Sequence, residues 1–587
     1  MYYDFEVKYT DLDGKIYPVL NGKTTYIALE YGRGYSKEKK YSLVKRTVIG
    51  KPIPNKEGFM YPNSNFMKLF PDNIPQDINY LKRCKALTIG EHILIHKVVD
   101  NLKLDEYLIK AGFNEDTTNF ILDFASYQLI EQSNVAQYFD KYEAKYPLFA
   151  KDMKIISDST VSRKLDYDIT EDNIINFFDV WNTDRDKDKR IWCSYDSTNM
   201  NCQAGDIEFA DFGWAKDDPS KPVIEYSIVY DTTNHIPLLY EFYPGDISDT
   251  SQLQIVIEKV NTYGYKNIGF ILDRGYFSKS NLDAMEELKI AYIIMMKAHK
   301  DVLRDLIDKK RGTFELKYDS KIKINEPIYG TKTKSKLSKI DEEDRNIYLY
   351  FNEARKYAET SNFIAAIEQM EEYLMHCIAH PEYKNRYKFG PLYDKFFDLK
   401  FDKDAPKYLI GYKVKSDIID KEVSYLGYFC IIYYDPSKAE TLPSPADIYK
   451  LYKSRDVSEK VFAGKSYLGD NALRTYNLSR ASAKKFIAFI AAIIRNEIHY
   501  NLFDSMKCLG KKRNYMDVPA ALKELSMIIL NESQTGNYTL DHAINKKEKD
   551  IFEAFGMKEE DIIKSIGNIT GRLSKQFIHG TRTKSKE

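Results

Sequence analysis

The sequence is poor in cysteine and lacks the close cysteine pairs from which metal ribbons and disulfide frameworks are built. Only six of its 587 residues are cysteines, and no C-x-x-C pair occurs among them. They are scattered over positions 84, 193, 202, 377, 430 and 508. This scatter excludes a disulfide framework and a zinc ribbon, so we expect reduced, buried thiols.

Long apolar segments are also missing. The longest, Phe486–Ile494, is far too short to span a bilayer. The first residues, MYYDFEVKYTDLDG, carry acids where a signal peptide needs a basic segment followed by an apolar one. We therefore expect a cytoplasmic protein that does not associate with a membrane.

Net charge is absent as well, because 87 basic residues balance 87 acidic ones. Total charge thus gives no support for nucleic-acid binding. Two segments differ locally: Arg33–Lys51 is mostly basic with interleaved tyrosines, and five Lys or Arg follow Gly571 against the single acid Glu587. Such clusters fit phosphate contacts, but a solvated surface and a frayed end explain them equally well.

The composition is that of a folded protein with several domains. With 43% hydrophobic and 14% aromatic residues the chain can bury large cores, and its length favours about three or four compact units. We predict, in chain order, a β-rich module (1–65), a helical DNA-binding or dimerisation region (66–185), the first part of an α/β core (186–297), a β-rich insertion domain (298–445), the second part of the core (446–505) and a helical region with a basic tail (506–587).

The predicted core begins with strand-like runs. IWCSYDS, PVIEYSIVYD and HIPLLYEFYPG are followed by KNIGFILD and AYIIMMKA, with helical patterns at 250–263 and 279–289 between the later runs. The predicted order is β, β, β, α, β, α, β. Segment 298–445 has its own strand candidates, GTFELKYD, KIKINEPIYG, RNIYLYFN, KYLIGYKVK and SYLGYFCIIYYD, which we interpret as an insertion that separates this block from the next helix.

Three carboxylates stand out by their settings. Asp196 in IWCSYDSTN and Asp273 in NIGFILDRGYF each end an apolar run, and Glu459 would share a helical face with Tyr452 and Arg455 at about 100° per residue. Carboxylates that converge from neighbouring elements are the ligands Mg²⁺ prefers, and two ions about 4 Å apart support phosphodiester cleavage. Arginine and tyrosine beside them would contact phosphates or bases. The pattern predicts a divalent-metal site that cuts nucleic acid.

Other candidates fit structural roles better. Asp231 in VYDTTNHIP is typical of a hairpin turn, and Asp246 and Asp249 in PGDISDTSQ are typical of a loop and a helix N-cap. His376 and His380 have the spacing of a helical metal pair, but no matching ligand set lies nearby. We therefore predict no zinc site.

The ordered combination YDSTN, FYPGDISDTSQL, FILDRGYFSKSNL and Y-x-x-R-x-x-x-E resembles bacterial insertion-sequence transposases. The branch it resembles is insertion-sequence family four of the DDE superfamily, over residues 190–500. Several members of that family carry a β-rich insertion between the second aspartate and the glutamate, where segment 298–445 lies.

The resemblance implies an RNase H-like core that holds two Mg²⁺ ions, with Mn²⁺ as a substitute. Asp196, Asp273 and Glu459 would be the catalytic metal ligands, and Tyr452 and Arg455 would contact DNA. The family signature has a lysine seven residues after the glutamate, and this chain departs from it there. Ser466 occupies the position, and the remaining candidates for a DNA contact are Lys460 and Lys465.

The implied function is that of a transposase. Its partners would be double-stranded DNA, namely terminal inverted repeats and target DNA. It would catalyse DNA cleavage and strand transfer as a homodimer on DNA. Two alternatives stay open at this stage. One is a domesticated transposase that binds DNA without cutting it, and the other is an RNase H-like nuclease without strand transfer.

Overall fold

The computed structural model describes residues 5–581 except 23, 37–40, 55, 71–72, 74–82, 204–206, 208–209, 214, 216–217, 248, 298–299, 323–325, 338–340, 342, 381–388, 406–407, 439–440, 457–467, 469–474, 476, 511 and 534–537. Helices and strands alternate along much of the chain, as expected for a mixed α/β protein. Within the described residues, no helix is long and apolar enough to cross a membrane.

The strands, in chain order, are β1 (Val7–Lys8), β2 (Lys15–Asn21), β3 (Thr24–Ser36), β4 (Tyr41–Pro52), β5 (Phe59–Pro62), β6 (Ala86–Thr88), β7 (Ile191–Asn201), β8 (Val223–Asp231), β9 (Ile236–Pro244), β10 (Ile268–Leu272), β11 (Ala291–Met295), β12 (Ile328–Ser335), β13 (Arg345–Asn352), β14 (Phe397–Phe401), β15 (Leu409–Val414), β16 (Tyr428–Tyr434), β17 (Ile529–Glu532) and β18 (Tyr538–Leu540).

The α-helices are α1 (Ser64–Leu69), α2 (Gly90–Leu102), α3 (Leu104–Lys110), α4 (Glu115–Glu131), α5 (Phe139–Lys145), α6 (Asp158–Arg163), α7 (Glu171–Thr183), α8 (Asp249–Thr262), α9 (Lys279–Glu287), α10 (Lys300–Lys310), α11 (Glu353–Ala379), α12 (Pro391–Phe396), α13 (Ser416–Val423), α14 (Pro445–Lys453), α15 (Leu478–Leu509), α16 (Val518–Leu525), α17 (Lys546–Glu553) and α18 (Glu559–Thr581).

One compact unit combines two early parts of the chain, Met1–Asp105 and Phe113–Thr170, with a late one, Asn501–Glu587. It contains a five-stranded antiparallel sheet in the order β1-β5-β4-β3-β2. A three-stranded sheet, β18-β17-β6, joins the early and late segments. Residues 66–105 and 113–170 of the early helical region and the late helical region belong to this unit, whereas residues 106–112 and 171–185 belong to the other.

The other unit, Glu106–Gly112 with Glu171–Tyr500, is built on an eight-stranded sheet in the order β12-β13-β16-β11-β10-β7-β8-β9. Strands β7, β8 and β9 are antiparallel, whereas β10 runs parallel to β7 and β11 runs parallel to β10. Helices α8 and α9 connect the later strands. The element order predicted for residues 191–295 is thus confirmed.

Segment 298–445 differs from the single β-rich insertion predicted for it. Its strands β12, β13 and β16 extend the same eight-stranded sheet, with β16 pairing antiparallel to β11. Strands β13 and β16 are buried along almost their whole length. Strands that are covered on both faces need apolar residues at nearly every position, which explains the continuous apolar runs of these two. The part outside the sheet, 353–423, is mostly helical, and the predicted strand GTFELKYD is a turn and a short 3₁₀ helix.

Helix α14 packs against this sheet near the carboxyl end of β10. Its buried residues Ile448, Tyr449 and Tyr452 belong to one apolar cluster with Ile271 of β10 and Ile293 of β11. Burial of such large side chains stabilises the docked helix. The packing brings the end of α14 beside the first residue after β10.

Candidate active site beside two parallel strands

Asp196 and Asp273 lie at matching positions of two neighbouring chain segments. In the parallel pair of β7 and β10, Tyr195 is the partner of Leu272, the last residue of β10. Asp196 is the next residue of β7, and Asp273 directly follows β10. The register therefore puts the two predicted carboxylates at one level of the sheet. Their backbones are separated by about the 4.8 Å spacing of paired strands.

Local hydrogen bonds hold both carboxylates. Asp273 Oδ1 accepts a hydrogen bond from the Arg274 backbone N–H at 2.7 Å, at the start of a 3₁₀ turn. Asp196 Oδ1 accepts one from the Ser197 N–H at 3.0 Å. The Asp273 side chain is 37% exposed and Asp196 is half-buried. Each carboxylate is therefore oriented by the backbone and still reachable from solvent.

A tyrosine links the segments that carry the two acids. The Tyr276 hydroxyl donates a hydrogen bond to Ser197 Oγ at 2.7 Å. Its buried ring lies 5.0 Å, centre to centre, from that of Tyr195. Ser197 follows Asp196 directly and Tyr276 follows Asp273 by three residues, so the contact fixes the spacing of the two acids. Sequence reasoning missed Tyr276, although it stands in the motif DRGYF.

Helix α14 supplies the next two predicted residues. Pro445 starts the helix, and Ser444 and Asp447 cap it reciprocally in a capping box. The Tyr452 hydroxyl donates to Asp273 Oδ1 at 3.3 Å. Burial first, and then the Asp273 carboxylate, raise the pKa of Tyr452, so its hydroxyl stays protonated at neutral pH and remains a donor.

Arg455 reaches the same carboxylate from a turn. Its Nη1 lies 3.9 Å from Asp273 Oδ2, and its side chain is only 12% exposed. The sequence predicted that Tyr452, Arg455 and Glu459 share one regular helical face, but α14 ends at Lys453. The Arg455 N–H bonds the Tyr452 carbonyl at 3.2 Å, a tighter spacing than that of an α-helix. Arg455 therefore approaches Asp273 from the turn that follows α14 and not from a regular helical face.

Three predicted site residues stand in the segment that follows α14. Glu459, Lys460 and Lys465 lie outside the described residues, as does Ser466. Within the described part of the chain, no three His, Cys, Asp or Glu side chains come together as a metal site. Asp196 and Asp273 are nevertheless hard oxygen ligands of the kind that Mg²⁺ and Mn²⁺ bind, so the donor set fits a divalent cation.

A pocket of about 370 Å³ opens next to Asp273. Aromatic walls come from Phe429, Tyr449 and Tyr452. Its charged lining is mixed, and comprises Arg274, Arg355, Lys453 and Arg455 with Asp273, Glu326 and Asp456. A rim with four basic side chains can accept a negatively charged group beside the carboxylates.

Among the residues with predicted structural roles, Asp231 shapes a turn. Asp231 Oδ1 accepts hydrogen bonds from the backbone N–H groups of Thr233 and Asn234 at 2.8 and 3.0 Å, which confirms its predicted place in the β8–β9 turn. His376 and His380 are exposed near the end of α11, with ring centres 4.4 Å apart.

Comparison with known proteins gives one family. Residues 192–494 match the family described as "Transposase DDE domain". No curated protein matches the chain. Among solved structures, the cryo-EM structure of a piggyBac transposase synaptic complex with hairpin DNA aligns over 82% of each chain, with a TM-score of 0.34 and 8% identity. Likeness at that level carries no argument about this chain. The family match spans more than half of the sequence and includes Asp196, Asp273, Tyr452 and Arg455, so the chain belongs to the transposase DDE domain family.

Proposed function

We propose that this DDE transposase binds the ends of an insertion sequence, cleaves DNA there in a metal-dependent reaction and transfers the freed strand to a target. The observation that carries the proposal is the juxtaposition of Asp196 and Asp273 at one level of two parallel strands. Tyr452 and Arg455 approach the second of these carboxylates. The site thus combines metal-binding oxygens with groups that can contact a phosphate.

Asp196, Asp273 and Glu459 are the metal ligands in this proposal, with Mg²⁺ as the ion and Mn²⁺ as a substitute. Bound cations would neutralise charge at the phosphodiester and activate the attacking oxygen. The two described carboxylates suit that role because each has backbone support and keeps contact with solvent.

Arg455 and Tyr452 act on the DNA. Arginine can grip a phosphate with two parallel hydrogen bonds, and the small exposed fraction of Arg455 restricts the positions its guanidinium can take. The Tyr452 hydroxyl is a neutral donor that can orient either the Asp273 carboxylate or a phosphate oxygen. Lys460 and Lys465 are proposed to add phosphate contacts.

The finer parts of the proposal follow from the resemblance in sequence. They are an RNase H-like core, membership of insertion-sequence family four, double-stranded DNA partners at inverted repeats and target, a homodimer on DNA, and a cytoplasmic location. The strand arrangement supports the first of them, because one acid lies on a central strand and the other directly follows an adjacent parallel strand.

The test is incubation of the purified protein with the DNA that flanks its own gene, in the presence of Mg²⁺. Cleavage at the element ends together with joined products is the expected result. Cleavage without joining would identify a nuclease, and binding without cleavage would identify a DNA-binding protein that no longer cuts. Duplexes of equal length with scrambled ends, and reactions with a chelator, are the matched controls.

A further inference from the structure

Strands β3 and β4 extend well beyond the sheet to which they belong. In the described residues, β2 pairs with β3 only up to Glu30, and β5 pairs with β4 only from Gly50. Residues 32–36 of β3 and 41–45 of β4 pair with each other alone, from Gly32↔Lys45 to Ser36↔Tyr41. We call residues 31–36 and 41–46 the ribbon. It is a two-stranded antiparallel arm about 20 Å long at about 3.4 Å per residue.

A bulge marks the base of the ribbon. Glu30 pairs with Arg46 and Gly32 with Lys45, so Tyr31 is an extra residue on β3. Bulges bend a strand and increase its twist, so β3 bends where the ribbon begins. The Tyr31 side chain is 65% exposed at this point.

The ribbon is strongly basic although the whole chain is neutral. It contains Arg33, Lys45 and Arg46 and no acid, a net charge of +3 in 12 residues. All three basic side chains are exposed. Arg33 Nε pairs with Glu30 Oε1 at 3.2 Å, but the Arg33 side chain is 63% exposed and Glu30 only 10%. The guanidinium therefore still faces solvent.

Basic side chains lie on both faces of the ribbon. Its β3 strand has little side-chain bulk, because Gly32 and Gly34 lie there. Because Arg33 pairs with Val44, and Lys45 with Gly32, alternation puts Arg33 and Lys45 on opposite faces. A Cβ at Gly32 would meet no atom within 4 Å, whereas one at Gly34 would lie 3.0 Å from Lys45 Cε. The Lys45 stem thus lies along the bare strand.

We propose that the ribbon is a DNA-binding arm that enters the major groove of the duplex. A two-stranded ribbon has the width that the major groove admits, and basic groups on both faces would meet the phosphates of both groove walls. A second copy of this chain is a poorer occupant, because its ribbon carries the same charge. The inference rests on the proposed function for the identity of the DNA, and it adds the element that contacts it.

The test is the salt dependence of DNA binding by the full-length protein. The triple variant Arg33→Gln, Lys45→Gln, Arg46→Gln should bind end DNA more weakly, and its slope of log affinity against log salt should be shallower by about two to three, at about 0.9 per lost phosphate contact. Arg46→Gln alone should reduce the slope by about one. Lys15→Gln is the matched control, since Lys15 is exposed on β2 of the same sheet but lies outside the ribbon and outside the basic segment Arg33–Lys51.

Three results separate the inference from the proposed function. A triple variant with wild-type affinity and slope overturns the ribbon assignment, even if the wild type cuts and joins DNA. A loss of self-association without DNA, with an unchanged slope, also overturns it and identifies a second copy as the occupant. A slope that depends on the ribbon in a protein that cuts nothing supports the arm and contradicts the proposed transposase activity.

Discussion

Tyr276 connects the chain segments of both described carboxylates through one hydroxyl group. Removing that hydroxyl in Tyr276→Phe keeps the ring against Tyr195 but loses the bond to Ser197 Oγ. A hydrogen bond of this kind contributes about 1 kcal/mol, so we expect cleavage to slow roughly fivefold. The Mg²⁺ concentration for half-maximal cleavage should rise as well, and a titration of cleavage rate against Mg²⁺ measures both.

Ser197→Ala is the matched control, because it removes the other partner of the same bond. The two single variants and the double variant should lose similar amounts of activity. Additive losses would contradict a shared positioning role, and an unchanged Mg²⁺ response would contradict any link to the metal ligands.

Glu91 makes stability depend on pH in the direction opposite to that of most acids. It is buried in α2, and its Oε2 has no hydrogen-bond partner among the described residues. Burial raises the pKa of Glu91 from 4.5 to about 8. Because the pKa in the folded state lies above that in the unfolded state, the protonated group's contribution is fully present below about pH 4.5 and is lost as pH rises through about 8.

Glu91→Gln should remove this dependence. Between about pH 6 and about pH 9, the wild-type free energy of unfolding should fall by about 2–3 kcal/mol relative to the variant. Denaturant unfolding at the two pH values measures the difference. A constant difference between wild type and variant would show that Glu91 does not titrate in this range. Glu106→Gln, an exposed residue on α3, is the control.

At the residue scale, the sequence predicts those site residues whose place depends on their position along a strand. Asp196 and Asp273 were predicted as site residues because each ends an apolar run, and the register of β7 and β10 puts them at one level. The Tyr276–Ser197 bond joins residues 79 positions apart, and no periodicity encodes such a pair. Helical spacing predicted that Arg455 lies beside the acids, although helix α14 ends before it, at Lys453.

At the scale of elements, β13 is tied to α9 by a buried arginine. Arg345 contacts Asp341, and it pairs with Asp283 at 2.9 Å and with Glu286 at 2.8 Å. Arg345→Met should lower the free energy of unfolding by about 3–5 kcal/mol, because it leaves the buried Asp341 and the largely buried Glu286 without this partner. Denaturant unfolding monitored by circular dichroism measures the loss.

Arg304 offers the comparison. Its pair with Glu422 is partly exposed, at 2.6 Å, so Arg304→Met should change the free energy of unfolding by only about 0–1 kcal/mol. Equal losses in the two variants would contradict a special role for the Arg345 cluster in holding β13.

The sequence predicts where the strands of the core lie better than it predicts which strands pair with each other. RNIYLYFN coincides with β13, and SYLGYFCIIYYD contains β16. Their apolar runs predict that both strands exist, but the pairing of β16 with β11 depends on residues more than 130 positions earlier. This is why a stretch interpreted as an insertion contains strands of the main sheet.

At the scale of the whole molecule, charge and topology hide the functional parts. The neutral net charge gives no sign of DNA binding, but the basic segment Arg33–Lys51 does, and the structure shows that the ribbon, an arm of β3 and β4, carries part of that charge. The α/β class and the order of the core strands follow from periodicity. The joining of two early segments and a late one into one unit does not, because pairing of β6 with β17 involves residues far apart in the sequence.

The most direct test of the central claim is the rate of Mg²⁺-dependent cleavage of end DNA by Asp196→Asn and Asp273→Asn. Each variant should lose at least about 10³-fold in rate, equivalent to about 4 kcal/mol of transition-state stabilisation, while binding the DNA as the wild type does. Asp246→Asn, at an exposed acid in a nearby motif, should cleave normally. Cleavage near the wild-type rate by either of the first two variants would contradict the assignment of that carboxylate to the metal site.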